Sequence, residues 1–215
     1  TSLDLSSLPN LDYVTCSYNN LTTLNVTSDT LLRILRCDNN NLQILDLSTN
    51  SSLREINCGF NNLTDINFNS NYCLREILCE HNNLTSLDLL GAPYVYFVYC
   101  NNNYISELDL SLNRPLYSLK CNNNLLTNLY LDTLQGSLRI INCSSNYLTN
   151  LDFTRDYALE ELICSKNFLD SLDISNNLGL KTLFCDSNNI SLLNLDLHQR
   201  LINLNCSYNR LTSLN

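Results

Sequence analysis

Ten of the eleven cysteines stand in one column: Cys16, Cys37, Cys58, Cys79, Cys100, Cys121, Cys143, Cys164, Cys185 and Cys206. Successive members are 21 residues apart, except for the 22 between Cys121 and Cys143. Thiols in such number could form disulfides, hold zinc or supply a nucleophile. Neighbouring strands lie about 4.8 Å apart, a Cα separation that by itself permits a disulfide. The side chains would nevertheless stand parallel, and every inner cysteine would have two equivalent neighbours. Each also occupies a position where the pattern asks for an apolar residue, and a buried thiol behaves as a small hydrophobe. The expectation is a buried, reduced cysteine ladder. Nothing brings four ligands into a zinc tetrahedron, and a buried thiol without an activating partner is inert. Cys73 lies outside the column, in a turn, and is expected to be exposed.

Other chemistry is thin. His81 follows the fourth strand of the pattern and His198 falls in a late return segment; both read as surface histidines. No Ser/His/Asp or Cys/His arrangement can be placed, so no catalytic residue is assigned. An acidic column, Asp46, Asp88, Asp109, Asp152 and Asp173, continues as Asn25, Asn67 and Asn194. Stacked carboxylates could bind calcium, but side chains accepting backbone N–H bonds in turns account for the column. No metal or other cofactor is expected. Asn-x-Ser/Thr sequons at Asn20, Asn25, Asn50, Asn62, Asn83, Asn142, Asn189 and Asn205 are as frequent as this composition gives by chance.

The elements that position these residues follow from the repeat. Three residues after each ladder cysteine stands an asparagine: Asn19, Asn40, Asn61, Asn82, Asn103, Asn124, Asn146, Asn167, Asn188 and Asn209. Leu53, Ile56, Cys58, Leu63, Ile66 and Phe68 return as Leu74, Ile77, Cys79, Leu84, Leu87 and Leu89. Self-similarity at this period marks a solenoid, whose repeats bury their apolar faces against each other. Ile56-Asn57-Cys58 alternates as a short strand with one buried face requires. Asn61 ends the strand, and its amide can satisfy backbone groups where the chain turns inward. The second half of each repeat is too short for a full helix, so short strands or 3₁₀ turns are expected there. Leu90-Gly91-Ala92-Pro93 breaks the polar return, and the extra residue near Leu134-Gln135-Gly136 reads as a bulge.

The motif L-x-x-L-x-C-x-x-N-x-L, from about Leu3 to Leu214, resembles the leucine-rich repeat family. With cysteine in place of the third leucine, it is similar to the cysteine-ladder repeats of internalin J-like bacterial surface proteins. The resemblance implies a leucine-rich-repeat solenoid, or horseshoe, with one short strand per turn in a parallel concave sheet and little or no α-helix. It also implies a non-enzymatic binding or adhesion module, secreted or at the cell surface, that takes a protein or glycan ligand.

Composition sets further bounds. The net charge of -9 argues against nucleic acid, which needs a basic footprint. No apolar run is long enough to span a membrane. The chain reads as a single domain over 1–215, and with no Met it is expected to be a piece of a longer one. Both ends stop in mid-pattern, at Thr1–Leu5 and Leu211–Asn215, without polar covers, so either flanking sequence or end-to-end self-association is expected. A structural stalk or filament is the alternative to a binding module.

The outward strand positions, three and one before each cysteine and one after it, are the candidate ligand surface. They place Glu55, Asn57 and Gly59 beside Glu76, Leu78 and Glu80, then Phe97, Tyr99 and Asn101, then Ser118, Lys120 and Asn122. Tyr96, Tyr117, Phe60 and His81 flank them, and Ile163 and Phe184 project from later strands. The proposed contact set is Glu76, Leu78, Glu80, Tyr96, Phe97, Tyr99, Tyr117 and Lys120. Aromatics among charges suit an interface, though they also pack on one another across strands.

Overall fold

Alternation decides the strands. Ile56 is apolar between Glu55 and Asn57, so three residues give one pleat with its apolar side chain inward. The computed structural model describes residues 1–131 and 136–213, and in it this unit recurs once per coil. The coils gather into two compact units, Thr1–Ile105 and Ser106–Asn215. Each is a parallel β-solenoid, and no helix occurs among the described residues.

In the first unit the strands are β1 (Ser2–Asp4), β2 (Tyr13–Thr15), β3 (Thr23–Asn25), β4 (Ile34–Arg36), β5 (Glu55–Asn57), β6 (Glu76–Leu78) and β7 (Phe97–Tyr99). Parallel pairing runs β2-β4-β5-β6-β7, always between equivalent residues: Leu35 with Ile56, Ile56 with Ile77, Ile77 with Val98. On the return side β1 pairs with β3. The second unit holds β8 (Glu107–Asp109), β9 (Ser118–Lys120), β10 (Asn128–Tyr130), β11 (Ile140–Asn142), β12 (Glu161–Ile163), β13 (Thr182–Phe184) and β14 (Asn203–Asn205). Its sheet runs β9-β11-β12-β13-β14, and β8 pairs with β10 on the return side. The expected bulge falls largely on Leu134 and Gln135, outside the described residues.

Each coil is filled by its own apolar skeleton. Leu53, Ile56, Cys58, Leu63 and Phe68 are all at most 1% exposed. Burying each aliphatic or aromatic side chain contributes about 1.5–3 kcal/mol.

The asparagine column joins one coil to the next. Asn61 Nδ2 donates to Cys58 O (3.1 Å) in its own coil and to Cys37 O (3.1 Å) in the preceding one. Its Oδ1 accepts from Leu42 N (2.9 Å). Asn40, Asn82 and Asn103 repeat these contacts in the first unit. Asn146, Asn167 and Asn188 repeat them in the second. Asn209 does so at the last coil. Asn19 donates to Cys16 O, and Asn124 to Cys121 O, within their own coils. Backbone carbonyls that face the interior are thereby satisfied without water.

Just before each asparagine the chain turns through a left-handed residue. Tyr18, Asn39, Phe60, His81 and Asn102 in the first unit, and Asn123, Ser145, Lys166, Ser187 and Tyr208 in the second, have φ between 53° and 58°. None is glycine, although the conformation costs an L-residue about 1–2 kcal/mol.

A second polar column lies on the return side. Asp29, Asn50, Asn71 and Asn113 are at most 1% exposed, Asp156 and Asn177 at most 2%, and His198 7%. Asn50 Nδ2 donates to Val26 O (3.0 Å) and Asp29 O (2.9 Å) in the preceding coil. Asn71 and Asn177 do the same one coil below themselves. Their backbones join two tight turns: Asn50 N donates to Leu47 O, and Asn50 O accepts from Leu53 N. His198 is therefore not a surface residue. Its Nε2 lies 3.1 Å from Ile174 O, which can only accept, so Nε2 carries the proton. Ala92 fills the place in the fourth coil. There Gly91 passes so close to the coil before it that a Cβ would lie 2.3 Å from Phe68 O.

Candidate functional site

The thiols come first because they dominate the sequence. All eleven cysteines are free; Cys16 to Cys185 in the column are buried, Cys206 is intermediate and Cys73 exposed. Burial pushes the Cys100, Cys143 and Cys185 thiols up to about 12. A thiol held protonated is neither a nucleophile nor a metal ligand. The column is a structural ladder.

The acidic column of the return side is occupied by its own backbone. Asp46 Oδ1 accepts from Ser48 N at 2.9 Å, and Asp88, Asp109, Asp152 and Asp173 each accept likewise from the residue two ahead. Asn25, Asn67 and Asn194 make the same turn bond. These bonds hold the Asp46, Asp152 and Asp173 carboxyls below their ordinary range. Among the described residues no group of three His, Cys, Asp or Glu could hold a metal ion. His81 Nε2 accepts a hydrogen bond from Asn102 Nδ2 at 3.0 Å, and its ring stacks on Phe60, ring centroids 4.1 Å apart.

What remains is the outward face of the sheet. In the first unit, register sets Glu76 beside Phe97 and Leu78 beside Tyr99. Their rings are half-buried against that face while Val98 between them is fully buried. Glu80 lies across Gly59, where a Cβ would stand 3.1 Å from its carboxyl carbon. Tyr96 flanks the row at 44% exposure. Tyr117 and Lys120 belong to the second unit, at β9, where Tyr117 is 39% exposed. Ser118 is not an outward contact residue; it is only 1% exposed. A second aromatic stack, Tyr147 on Phe168, lies in that unit with centroids 6.0 Å apart.

An open hollow of about 510 Å³ occupies the sheet face of the first unit, lined by Thr15, Tyr18, Arg36, Asp38, Glu55 and Glu76 among others. Arg36 Nη2 lies 3.6 Å from Glu55 Oε2, and its guanidinium sits 5.8 Å from the Tyr13 ring centre. Burial, and then the Glu55 charge one strand away, push the Glu76 carboxyl up; Arg36 opposes them. Arg36 was missed in the sequence reading although it stands one residue before Cys37, at an outward position by the same rule.

No protein-family model matches the sequence, and no curated protein aligns with it significantly. Solved structures do. The functional domain of InlJ from Listeria monocytogenes, which includes a cysteine ladder, is 28% identical with a TM-score of 0.74, over 100% of this chain and 57% of that one. An internalin, InlF, from the same organism is 19% identical with a TM-score of 0.84, over 97% and 65%. A leucine-rich-repeat protein of Leptospira interrogans is 20% identical with a TM-score of 0.81, over 98% and 64%. The chain thus spans between 57% and 65% of the lengths of these three structures. The last two likenesses concern the fold; the first extends to the thiols, since both chains carry a cysteine ladder. Coils with one short parallel strand, an asparagine ladder and a cysteine in the core make this protein a leucine-rich-repeat solenoid, related in fold to the internalins.

Proposed function

We propose that the chain is a recognition module, secreted or displayed at a cell surface, that binds a protein or glycan through the outward face of its sheet. The observation that carries this is the pairing of Glu76 and Leu78 with Phe97 and Tyr99, which sets two half-buried rings beside an acidic and an apolar neighbour. Rigid aromatics supply contact area at low entropic cost, and the charged rim sets orientation. Glu80 and Tyr96 extend this surface in the first unit; Tyr117 and Lys120 offer the same chemistry in the second. The likeness to InlJ and InlF supports the surface-exposed setting.

The test is binding of the purified chain to arrayed extracellular proteins and glycans, repeated with Phe97→Ala/Tyr99→Ala. Loss of the binding signal by roughly thirtyfold or more is expected for two aromatic anchors. Full affinity in the variant would move the site off this face. A stalk built by end-to-end stacking is the second reading. It would stack repeat on repeat, with the apolar Ile202 and Leu204, beside and in β14, against another copy. Sedimentation showing concentration-dependent linear oligomers, abolished by Ile202→Lys, would support it.

A further inference from the structure

Four residues before each ladder cysteine, at the start of the sheet strands, runs a column of side chains that differs between the two units. In the second unit it reads Tyr117, Arg139, Glu160, Lys181, Ile202. Glu160 accepts from Arg139 Nη1 on one oxygen (2.7 Å) and from Lys181 Nζ on the other (2.6 Å). Lys181 and then Arg139 hold its carboxyl below the usual range. The coil spacing therefore suits a carboxylate bridging the cations above and below it.

In the first unit the same column reads Asp12, Arg33, Arg54, Arg75, Tyr96. The backbone keeps the arginines in step: Arg54 N donates to Arg33 O, and Arg75 N to Arg54 O, both at 2.8 Å. Arg33 is engaged by Asp12 through Nε and Nη2. Arg75 Nη1 donates to the carbonyls of Cys73 and Leu74, and its guanidinium lies 5.2 Å from the Tyr94 ring centre. Arg54 makes no side-chain hydrogen bond or ion pair among the described residues. An open hollow of about 380 Å³ lies beside it, lined by Arg33, Ser52, Arg54 and Cys73 among others.

We propose that the Arg33–Arg54–Arg75 column is a docking surface for an acidic helical segment of a partner protein. Its central carboxylate sits on Arg54, where a bridging group is missing that the second unit supplies from its own chain as Glu160. Three observations select this occupant. The row is a basic exception on a chain of net charge -9, so an acidic segment is attracted here and repelled by most of the remaining surface. Guanidinium forks take carboxylates in two parallel hydrogen bonds, as Arg33 already takes Asp12. Spacing decides the conformation. The coils advance by about 4.8 Å, close to the roughly 5–6 Å between helix positions three or four apart, whereas like-facing strand residues lie about 6.6 Å apart and fall out of step. Asp12 closes the row at one end, so the segment engages three cations and no more. Tyr96 continues this column into the sheet-face contact set, its N–H donating to Arg75 O at 2.8 Å, but the three arginines lie outside that set, so Arg54→Glu and Phe97→Ala/Tyr99→Ala test the two readings separately.

The experiment uses the intact chain and an alanine-based helical peptide carrying Glu at i, i+4 and i+7, with a Gln-substituted control. Fluorescence anisotropy should show binding of the Glu peptide alone, weakening as salt rises. Arg54→Glu should lower its affinity by about tenfold or more, and Arg54→Gln by less. The Arg54→Glu chain should melt no lower than the parent, because the new carboxylate bridges Arg33 and Arg75 as Glu160 bridges its neighbours. A merely solvated arginine would leave the affinity for the Glu peptide unchanged in both variants. The proposal is overturned if the Gln peptide binds equally or if Arg54→Glu leaves affinity unchanged. It is also overturned if a sulfated oligosaccharide binds this row where the peptide does not.

Discussion

Asn50 donates through Nδ2 to the carbonyl of Asp29 at 2.9 Å, yet the carboxyl of Asp29 itself, fully buried, has no hydrogen-bond partner on either oxygen. Asn50 and Asn71 each donate to two carbonyls of the preceding coil. By the same offset, the carbonyls equivalent for Asp29 are those of Leu5 and Leu8. An ionised carboxylate has no proton to offer there; a neutral carboxylic acid has one.

The consequence is a pH-dependent stability. Burial raises the Asp29 carboxyl above its ordinary 3.8, and burial followed by the Asp152 charge raises Asp156 to about 7. Between 3.8 and about 7 the folded chain keeps protons that the unfolded chain has released, so stability falls as pH rises through that window. The turn aspartates act lower down and with opposite sign; their contribution is fully present above 3.8 and is lost only as pH falls below it. Asp29→Asn/Asp156→Asn should flatten the decline between about pH 4 and about pH 8, and should be more stable than the parent at the upper end. Urea unfolding across that range decides it; an unchanged slope would show that the two carboxyls ionise freely in the fold.

The first ladder should be far less tolerant. Asn61→Ala leaves Cys37 O, Cys58 O and Leu42 N without partners in a place that is 7% exposed. Removing these bonds from a buried site should cost about 3 kcal/mol. Asn61→Asp should cost at least as much near neutral pH, since the carboxylate cannot donate. A loss under about 1 kcal/mol in either variant would mean that water reaches these carbonyls.

The contrast between the two ladders shows what the sequence made legible. Ten cysteines and ten asparagines in step announce their column because each position tolerates one residue type. Within each unit the return-side column is chemically as coherent, but Asp29, Asn50, Asn71 and Ala92 in the first, and Asn113, Asp156, Asn177 and His198 in the second, share no single letter. Asparagine is too common elsewhere in this chain for three or four of them to stand out. His198 therefore read as a surface residue, when it is the column's last described donor. Ser118 followed the outward rule and is nonetheless covered. The sheet-face aromatics were visible as a run, Tyr94 to Tyr99, whereas the arginine row was not, since its meaning depends on Glu160 occupying the same place in another coil.

Thiol chemistry should report the core directly. Denatured, unreduced protein should react with a thiol reagent at all eleven cysteines, whereas the native chain should expose Cys73 at once and Cys206 more slowly. The other nine are buried, and their reaction should follow the rate at which coils open. Cys58→Ser should destabilise by about 1–3 kcal/mol, the cost of placing a hydroxyl where no partner awaits it. Disulfide-linked peptides from fresh native protein would refute the reduced ladder.

The left-handed column gives the last prediction, because its cost is carried by the backbone and can be separated from contacts. Lys166 has φ 56°, its side chain is exposed, and its N–H and carbonyl both serve the sheet, bonded to Asp186 O and Asn146 N. Replacing it changes little except conformational preference. Lys166→Gly removes about 1 kcal/mol of left-handed strain but adds a comparable freedom to the unfolded chain, so its stability should stay within about 1 kcal/mol of the parent. Lys166→Val keeps a Cβ and adds branching that this conformation resists, and should cost about 1–2 kcal/mol. The ordering Gly above Val, at a site whose side chain is exposed, isolates the backbone. Equal stability of the two variants would show that the turn relaxes out of the left-handed region at no cost, and the ten-residue column would then be a consequence of packing rather than a strain the ladders hold in place.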